Sequence, residues 1–205
     1  MLNDSIIHQT NLISEQITKN KLKIILNHLE HNLNQNLEGG VVEMGCYIGT
    51  TSLFIQRLLM KYHQSSNFFV YDSFQGLPDK TIEDLSIVGE QFQKSQLNCS
   101  KNDLIINFKK NNLPLPKITK AWFNQLTYRQ LPEKIYFAFL DSDFYFSILD
   151  SLKLIWPIFN QKGTIVVDDY NYAALPGVTK AIELFFQNKN VKIRQLDNLA
   201  IITKN

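Results

Sequence analysis

The chain has 205 residues, enough for one domain with a sizeable core, and its 44% hydrophobic and 20% charged residues exclude a disordered polymer. A net charge of +2 with scattered lysines lacks the basic stripe of a nucleic-acid binder, and no apolar run is long enough to cross a bilayer. Two cysteines, Cys46 and Cys99, lack metal-ligand spacing, and the start "MLNDSIIHQTNLISEQ" has no basic n-region or apolar h-region. The expectation is a cytoplasmic protein without a signal peptide, with neither nucleic acid nor membrane as partner.

Residues 1–37 are Asn-rich, and Leu22, Ile25, Leu29 and Leu33 recur at helical spacing. This section reads as a helical cap or lid on a single domain spanning 1–205. "VVEMG" (41–45) is a short buried strand after "EGG", and 51–62 is helical with Phe54, Leu58 and Leu59 inward. "NFFVYDS" (67–73) is a second strand, followed over 74–99 by a loop with partial helix. Ser100 and Asp103 form a capping box that starts a helix over 100–112. "KITKAWF" (117–123) and "KIYFAFLDSD" (134–143) are strands three and four, and 144–160 is helical until Pro157. "GTIVVDD" supplies strand five, 178–188 a helix, and "VKIRQL" and "LAIITK" a hairpin about Asp197-Asn198. Strands alternating with helices predict a parallel sheet covered on both faces, with ligands at the strands' C-terminal ends.

"VVEMGCYIGTTS" (41–52) is a strand, a glycine turn and a helix. Gly45 permits a sharp turn, and Gly49 a close approach by a ligand or by the helix. The segment is neither a dinucleotide fingerprint, since Tyr47 stands at the middle glycine position, nor a P-loop. It fits a ligand-binding turn or a tight turn alone. Asp72, at the end of strand two, can accept both hydroxyls of a ribose lying over that turn, or can serve as a helix cap.

Strand four ends in Asp141 and Asp143, and strand five in Asp168 and Asp169. Carboxylates sharing a small volume raise one another's pKa, and a divalent cation removes the conflict. All-oxygen ligands suit Mg²⁺, with Mn²⁺ or Ca²⁺ as alternatives, and no histidine or basic residue is near in sequence. The trio Asp141, Asp168 and Asp169 reads as a metal set. Asp143 reads as a helix cap or a group behind the ligands.

From 39 to about 188 the chain resembles the macrocin O-methyltransferase family, S-adenosylmethionine-dependent enzymes of antibiotic sugar methylation. The resemblance is carried by "VVEMGCYIGTTS", "VYDSFQGLPD", "KAWF", "FLDSDFYFSILDSLKLIWP" and "GTIVVDDYNYAALPGVTKAI". It implies a class I methyltransferase (Rossmann-like) fold, a seven-stranded mostly parallel sheet with helices on both faces and a C-terminal antiparallel hairpin. It also implies S-adenosylmethionine contacts at Glu43, Met44, Gly45, Tyr47, Gly49, Thr50 and Ser52, the ribose ligand Asp72 with Ser73 and Phe74 beside it, and Ala121 and Trp122 along the adenine. Asp141, Asp168 and Asp169 match the family's metal-binding acids. Asp141 also matches the residue proposed as general base and borders the cofactor. Family members often carry a longer N-terminal section over the sugar acceptor than residues 1–37 here.

A divalent cation on an alcohol stabilises the alkoxide while a carboxylate takes the proton. A neighbouring oxygen would chelate the metal, so the expected acceptor is a small molecule or glycan with a vicinal diol, acted on by a homodimer. Tyr145, Tyr170 and Tyr172 are candidates for the acceptor wall, and Phe144 for packing. An NAD-dependent oxidoreductase would want the dinucleotide fingerprint and a catalytic Tyr-Lys or His pair. A non-catalytic nucleotide-binding module would leave Asp168 and Asp169 without a task.

Overall fold

The computed structural model describes residues 2–204. Two helices come first, α1 (Leu2–Gln9) and α2 (Lys19–Asn34). β1 (Gly40–Met44), α3 (Thr50–Lys61), β2 (Phe68–Asp72), α4 (Lys101–Lys110) and β3 (Lys117–Lys120) form the first half of the sheet unit. β4 (Ile135–Leu140), α5 (Tyr145–Ile155), β5 (Phe159–Val167), α6 (Pro176–Phe186), β6 (Val191–Leu196) and β7 (Leu199–Lys204) complete it.

The strands make one sheet in the order β3-β2-β1-β4-β5-β7-β6. β1 to β5 are parallel, and β7 runs antiparallel between β5 and β6. β1 and β4 are buried along their whole length, as parallel strands covered on both faces must be. Val41, Val70 and Phe139 face a core closed by α1 to α4, while Val42, Met44 and Leu140 face a second core under α5 and α6. Edge strand β3 carries exposed Lys117 and Lys120, which discourages pairing with another sheet.

The expected elements are present; strands three and four end earlier than read, at Lys120 and Leu140, and the last helix runs Pro176–Phe186, but the largest shift follows β4. α5 ends at Ile155, Trp156–Ile158 forms a 3₁₀ turn, and β5 begins at Phe159. Pro157 has no N–H to continue an α-helical ladder. Residues between Phe159 and Thr164 bulge out, since Ile135 pairs with Phe159 but Phe137 with Thr164.

The chain leaves β1 toward β2 and β3, then crosses back to β4 and β5. The crevice of such a sheet opens where these directions part, at the C-terminal ends of β1 and β4. Backbone bonds carry the ladder one residue further there. Gly45 N–H donates to Tyr71, Asp141 to Met44, Asp168 to Leu140 and Ala121 to Asp72, each at 2.9 Å. Five of the sequence-derived site segments, at the ends of β1 to β5, are thereby set level along one edge.

Candidate active site

Gly45 turns the chain off β1 at φ 84°. A Cβ there would lie 1.8 Å from the Asp141 carbonyl oxygen, so only glycine lets the β1 and β4 ends meet this closely. Gly49 (φ 94°) caps α3, and a Cβ there would lie 2.2 Å from Leu104 Cδ1 on α4. Its close approach is to a helix. Asp72 binds the two turns together: Oδ2 accepts from Cys46 N–H at 2.8 Å and Tyr47 N–H at 3.1 Å, and Oδ1 from Phe74 N–H at 2.7 Å. Glu43, 1% exposed, accepts from Ser52 Oγ at 2.5 Å through Oε2, while Oε1 has no partner. Burial pushes this carboxyl up to about 8, against the pull of the Ser52 hydroxyl and with a smaller push from Asp72.

Asp141, Asp168 and Asp169 each offer an oxygen within 4.8 Å of the others. Burial holds the Asp141 carboxyl well above the usual range, and the charges of Asp168, Asp143 and Asp169 add to it. Burial, then Asp168, brings Asp169 to about 6. Asp168 also rises, because burial outweighs its ion pair. That ion pair is with Lys21 of α2, whose Nζ lies 2.5 Å from Asp168 Oδ1 and 3.5 Å from Asp169 Oδ1. Burial lowers the Lys21 ammonium's pKa, but Asp168, then Asp169 and Asp141, outweigh it and the net direction is upward. No basic residue is near these acids in sequence, but the fold brings one from 147 positions away.

Asp143 is not a helix cap. It has φ 60°, and Phe144 is the N-cap of α5 without a side-chain cap bond. The task falls to Asp84 in the 74–99 loop, whose Oδ1 accepts from Tyr145 N–H at 2.7 Å. Asp143 instead borders the cavity, where burial and then Asp169 raise it to about 8.

A cavity of about 340 Å³ lies over this sheet edge. Of the sequence-derived residues, Glu43, Gly45, Tyr47, Thr50, Asp72, Ser73, Ala121, Trp122, Asp141 and Asp169 line it. Met44, Gly49, Ser52, Phe74 and Asp168 stand behind the lining; Met44 and Ser52 are wholly buried. Tyr172 faces the cavity, whereas Tyr145 and Tyr170 pack beside the α5–α6 core. Ser14–Ile17 and Lys21 also line it, with Ser14 Oγ 2.6 Å from Thr50 Oγ1. Sequence reasoning missed these. The one available signal was the Thr18 cap, which places Lys21 in the first turn of an amphipathic helix.

Residues 11–204 match the family described as Macrocin-O-methyltransferase (TylF). The chain belongs to this family. Demethyldecarbamoylnovobiocin O-methyltransferase of Streptomyces niveus is 25% identical over 158 residues, which are 73% of this chain and 60% of the relative. The chain thus spans less than two thirds of that relative's length. The solved structure of the O-methyltransferase NovP is similar with a TM-score of 0.79 at 22% identity, over 92% of this chain and 81% of that one. The O-methyltransferase from Bacillus cereus in complex with SAH is similar with a TM-score of 0.64 at 12% identity, over 100% of this chain and 89% of that one. These likenesses fix the class I methyltransferase fold.

The residues of this macrocin-O-methyltransferase family member fit the groups such a fold uses. The unpartnered Glu43 Oε1, buried on the cavity wall, is an acceptor awaiting a donor such as an ammonium. Three clustered carboxylates with no thiol or imidazole among them are a hard-oxygen set, suited to Mg²⁺ rather than zinc.

Proposed function

We propose that the chain is an S-adenosylmethionine-dependent O-methyltransferase acting on a hydroxyl with a neighbouring oxygen, on a sugar or glycoside. The observation that carries this reading is that one cavity is bordered by both the Gly45 turn with Asp72 and the acids Asp141 and Asp169. Family membership favours it over the NAD-dependent and non-catalytic readings. S-adenosylmethionine, when bound, supplies a methyl group already activated by the sulfonium. The Gly45 turn offers backbone without side-chain obstruction, Asp72 keeps a lone pair free for a ribose hydroxyl, and Glu43 Oε1 receives the amino-acid ammonium. Ala121 and Trp122 flank the base.

Asp141, Asp168 and Asp169 would hold Mg²⁺ or another oxygen-preferring divalent cation, which supplies Lewis acidity toward the acceptor oxygen. Asp141, which borders the cavity and matches the family's general base, would take the proton of the acceptor hydroxyl. Tyr172 and Trp122, on the cavity wall, exclude water from the transfer. Two free thiols, Cys46 and Cys99, fit residence in the cytoplasm.

The test is a matched acceptor set with radiolabelled S-adenosylmethionine and Mg²⁺: a glycoside with a free diol, the same glycoside lacking the neighbouring hydroxyl, and a catechol. The diol should be methylated at least ten-fold faster than the mono-hydroxy compound. Equal rates rule out chelation. Reaction of the catechol alone removes the sugar assignment.

A further inference from the structure

Lys21 is a cavity-facing cation that neither the glycine turn nor the carboxylate chemistry uses. Its side chain is only 13% exposed, and its ammonium bonds to two of the three clustered acids. Asp141 and Asp143 also feel its charge. A divalent cation at the trio would seek the same oxygens, and two cations cannot share a dry carboxylate set without strong repulsion. We infer that Lys21 is the resident counter-ion of this site and competes with the divalent cation, so that cation binding frees the start of α2 and the cavity wall joined to it. The inference rests on the metal reading proposed above.

The mechanical link is visible in the fold. Lys21 sits in the first turn of α2, where Thr18 Oγ1 accepts from Lys21 N–H at 3.2 Å. Just before it, the irregular chain of Ser14–Ile17 lines the cavity, held to the body through Ser14 and Thr50. Further along α2, Leu22, Ile25, Leu26 and Leu29 are wholly buried. Those contacts keep the helix docked, so the release is confined to the Lys21 side chain, the first turn and the segment before it. In the cation-free enzyme the ion pair draws this wall onto the acids. In the loaded enzyme the wall is free to admit an acceptor.

The experiment uses Mn²⁺ alone as the probe. Free Mn²⁺ is titrated by electron paramagnetic resonance into the full chain, Lys21→Gln and Lys21→Arg, and backbone hydrogen exchange over 12–24 is followed with and without Mn²⁺. Lys21→Gln should bind Mn²⁺ at least ten-fold more tightly than the unaltered chain, and Lys21→Arg no more tightly. In the unaltered chain Mn²⁺ should speed exchange over 12–24, and in Lys21→Gln exchange should already be fast and indifferent to Mn²⁺. Equal Mn²⁺ affinity in Lys21→Gln and the unaltered chain overturns the competition while leaving the metal site intact. Tighter binding with no exchange response in the unaltered chain overturns the coupling to the wall and leaves Lys21 a competitor for the cation only. Failure of Mn²⁺ to bind either protein overturns the metal reading and this inference together. The exchange measurement on the unaltered chain stands even where a variant fails to fold.

Discussion

Replacing Asp72 by alanine removes the acceptor for three backbone donors at once, those of Cys46, Tyr47 and Phe74. Cys46 and Phe74 are buried, whereas Tyr47 is partly exposed, so water can rescue only the Tyr47 amide. A buried donor left unpaired costs about 1–3 kcal/mol, and two of them give about 3 kcal/mol. For a chain of this length that lowers the melting temperature by about 6–12 °C. Asp72→Asn keeps one acceptor oxygen and should lose about half as much. Urea unfolding of the three proteins measures this directly, and an alanine variant within about 0.5 kcal/mol of the unaltered chain would refute the claim that Asp72 holds the two turns. The pair also separates two roles toward S-adenosylmethionine by titration calorimetry. If Asp72→Asn recovers stability yet still binds about ten-fold more weakly, the carboxylate touches the cofactor. If affinity follows stability through the series, Asp72 acts only by holding the turns.

Glu43, raised from 4.5 to about 8, keeps a proton in the folded chain that the unfolded chain releases near 4.5. Its contribution therefore weakens folding as pH rises from about 4.5 to about 8, by at most about 5 kcal/mol. Glu43→Gln, which still accepts from Ser52, should flatten the pH dependence and raise the urea midpoint more at pH 8 than at pH 5; parallel curves for both proteins would count against it. Asp84→Ala removes the acceptor for Tyr145 N–H and the bonds to Thr81, and should cost about 1–2 kcal/mol as an N-cap loss. An unchanged melting temperature would show that α5 starts without help from the 74–99 loop.

What was legible in the sequence is what local rules decide. Apolar runs marked the buried strands, Ser100 and Asp103 cap α4 as their spacing predicts, and the Asp197-Asn198 turn joins β6 to β7. What was not legible depends on contacts far along the chain. The spacing of Leu22, Ile25 and Leu29 tells which face of α2 is buried, but not that its first turn ends above β5, so Lys21 went unseen. Asp143 was read as a helix cap or a group behind the ligands; the cap comes from Asp84, 61 positions before the Tyr145 amide it binds. Ser52, a cofactor contact on the family resemblance, is buried in the first turn of α3 and bound to Glu43, a pairing no local rule predicts.

Asp168 and Asp169 make the same point at one step of chain. Adjacent residues of an extended strand point to opposite faces of the sheet, so two neighbouring carboxylates should not meet. They do meet because β5 ends at Val167 and Asp169 takes φ 58°. That left-handed turn lets Asp169 N–H donate to Asp168 Oδ1 at 2.7 Å and leaves both carboxylates with an oxygen within 4.8 Å of Asp141's. Aspartate tolerates this conformation better than most residues, at a cost of about 1–2 kcal/mol. The fold accepts the same strain at Tyr47, Phe74 and Asp143, and at Asp169 it sets two consecutive carboxylates against the Lys21 ammonium.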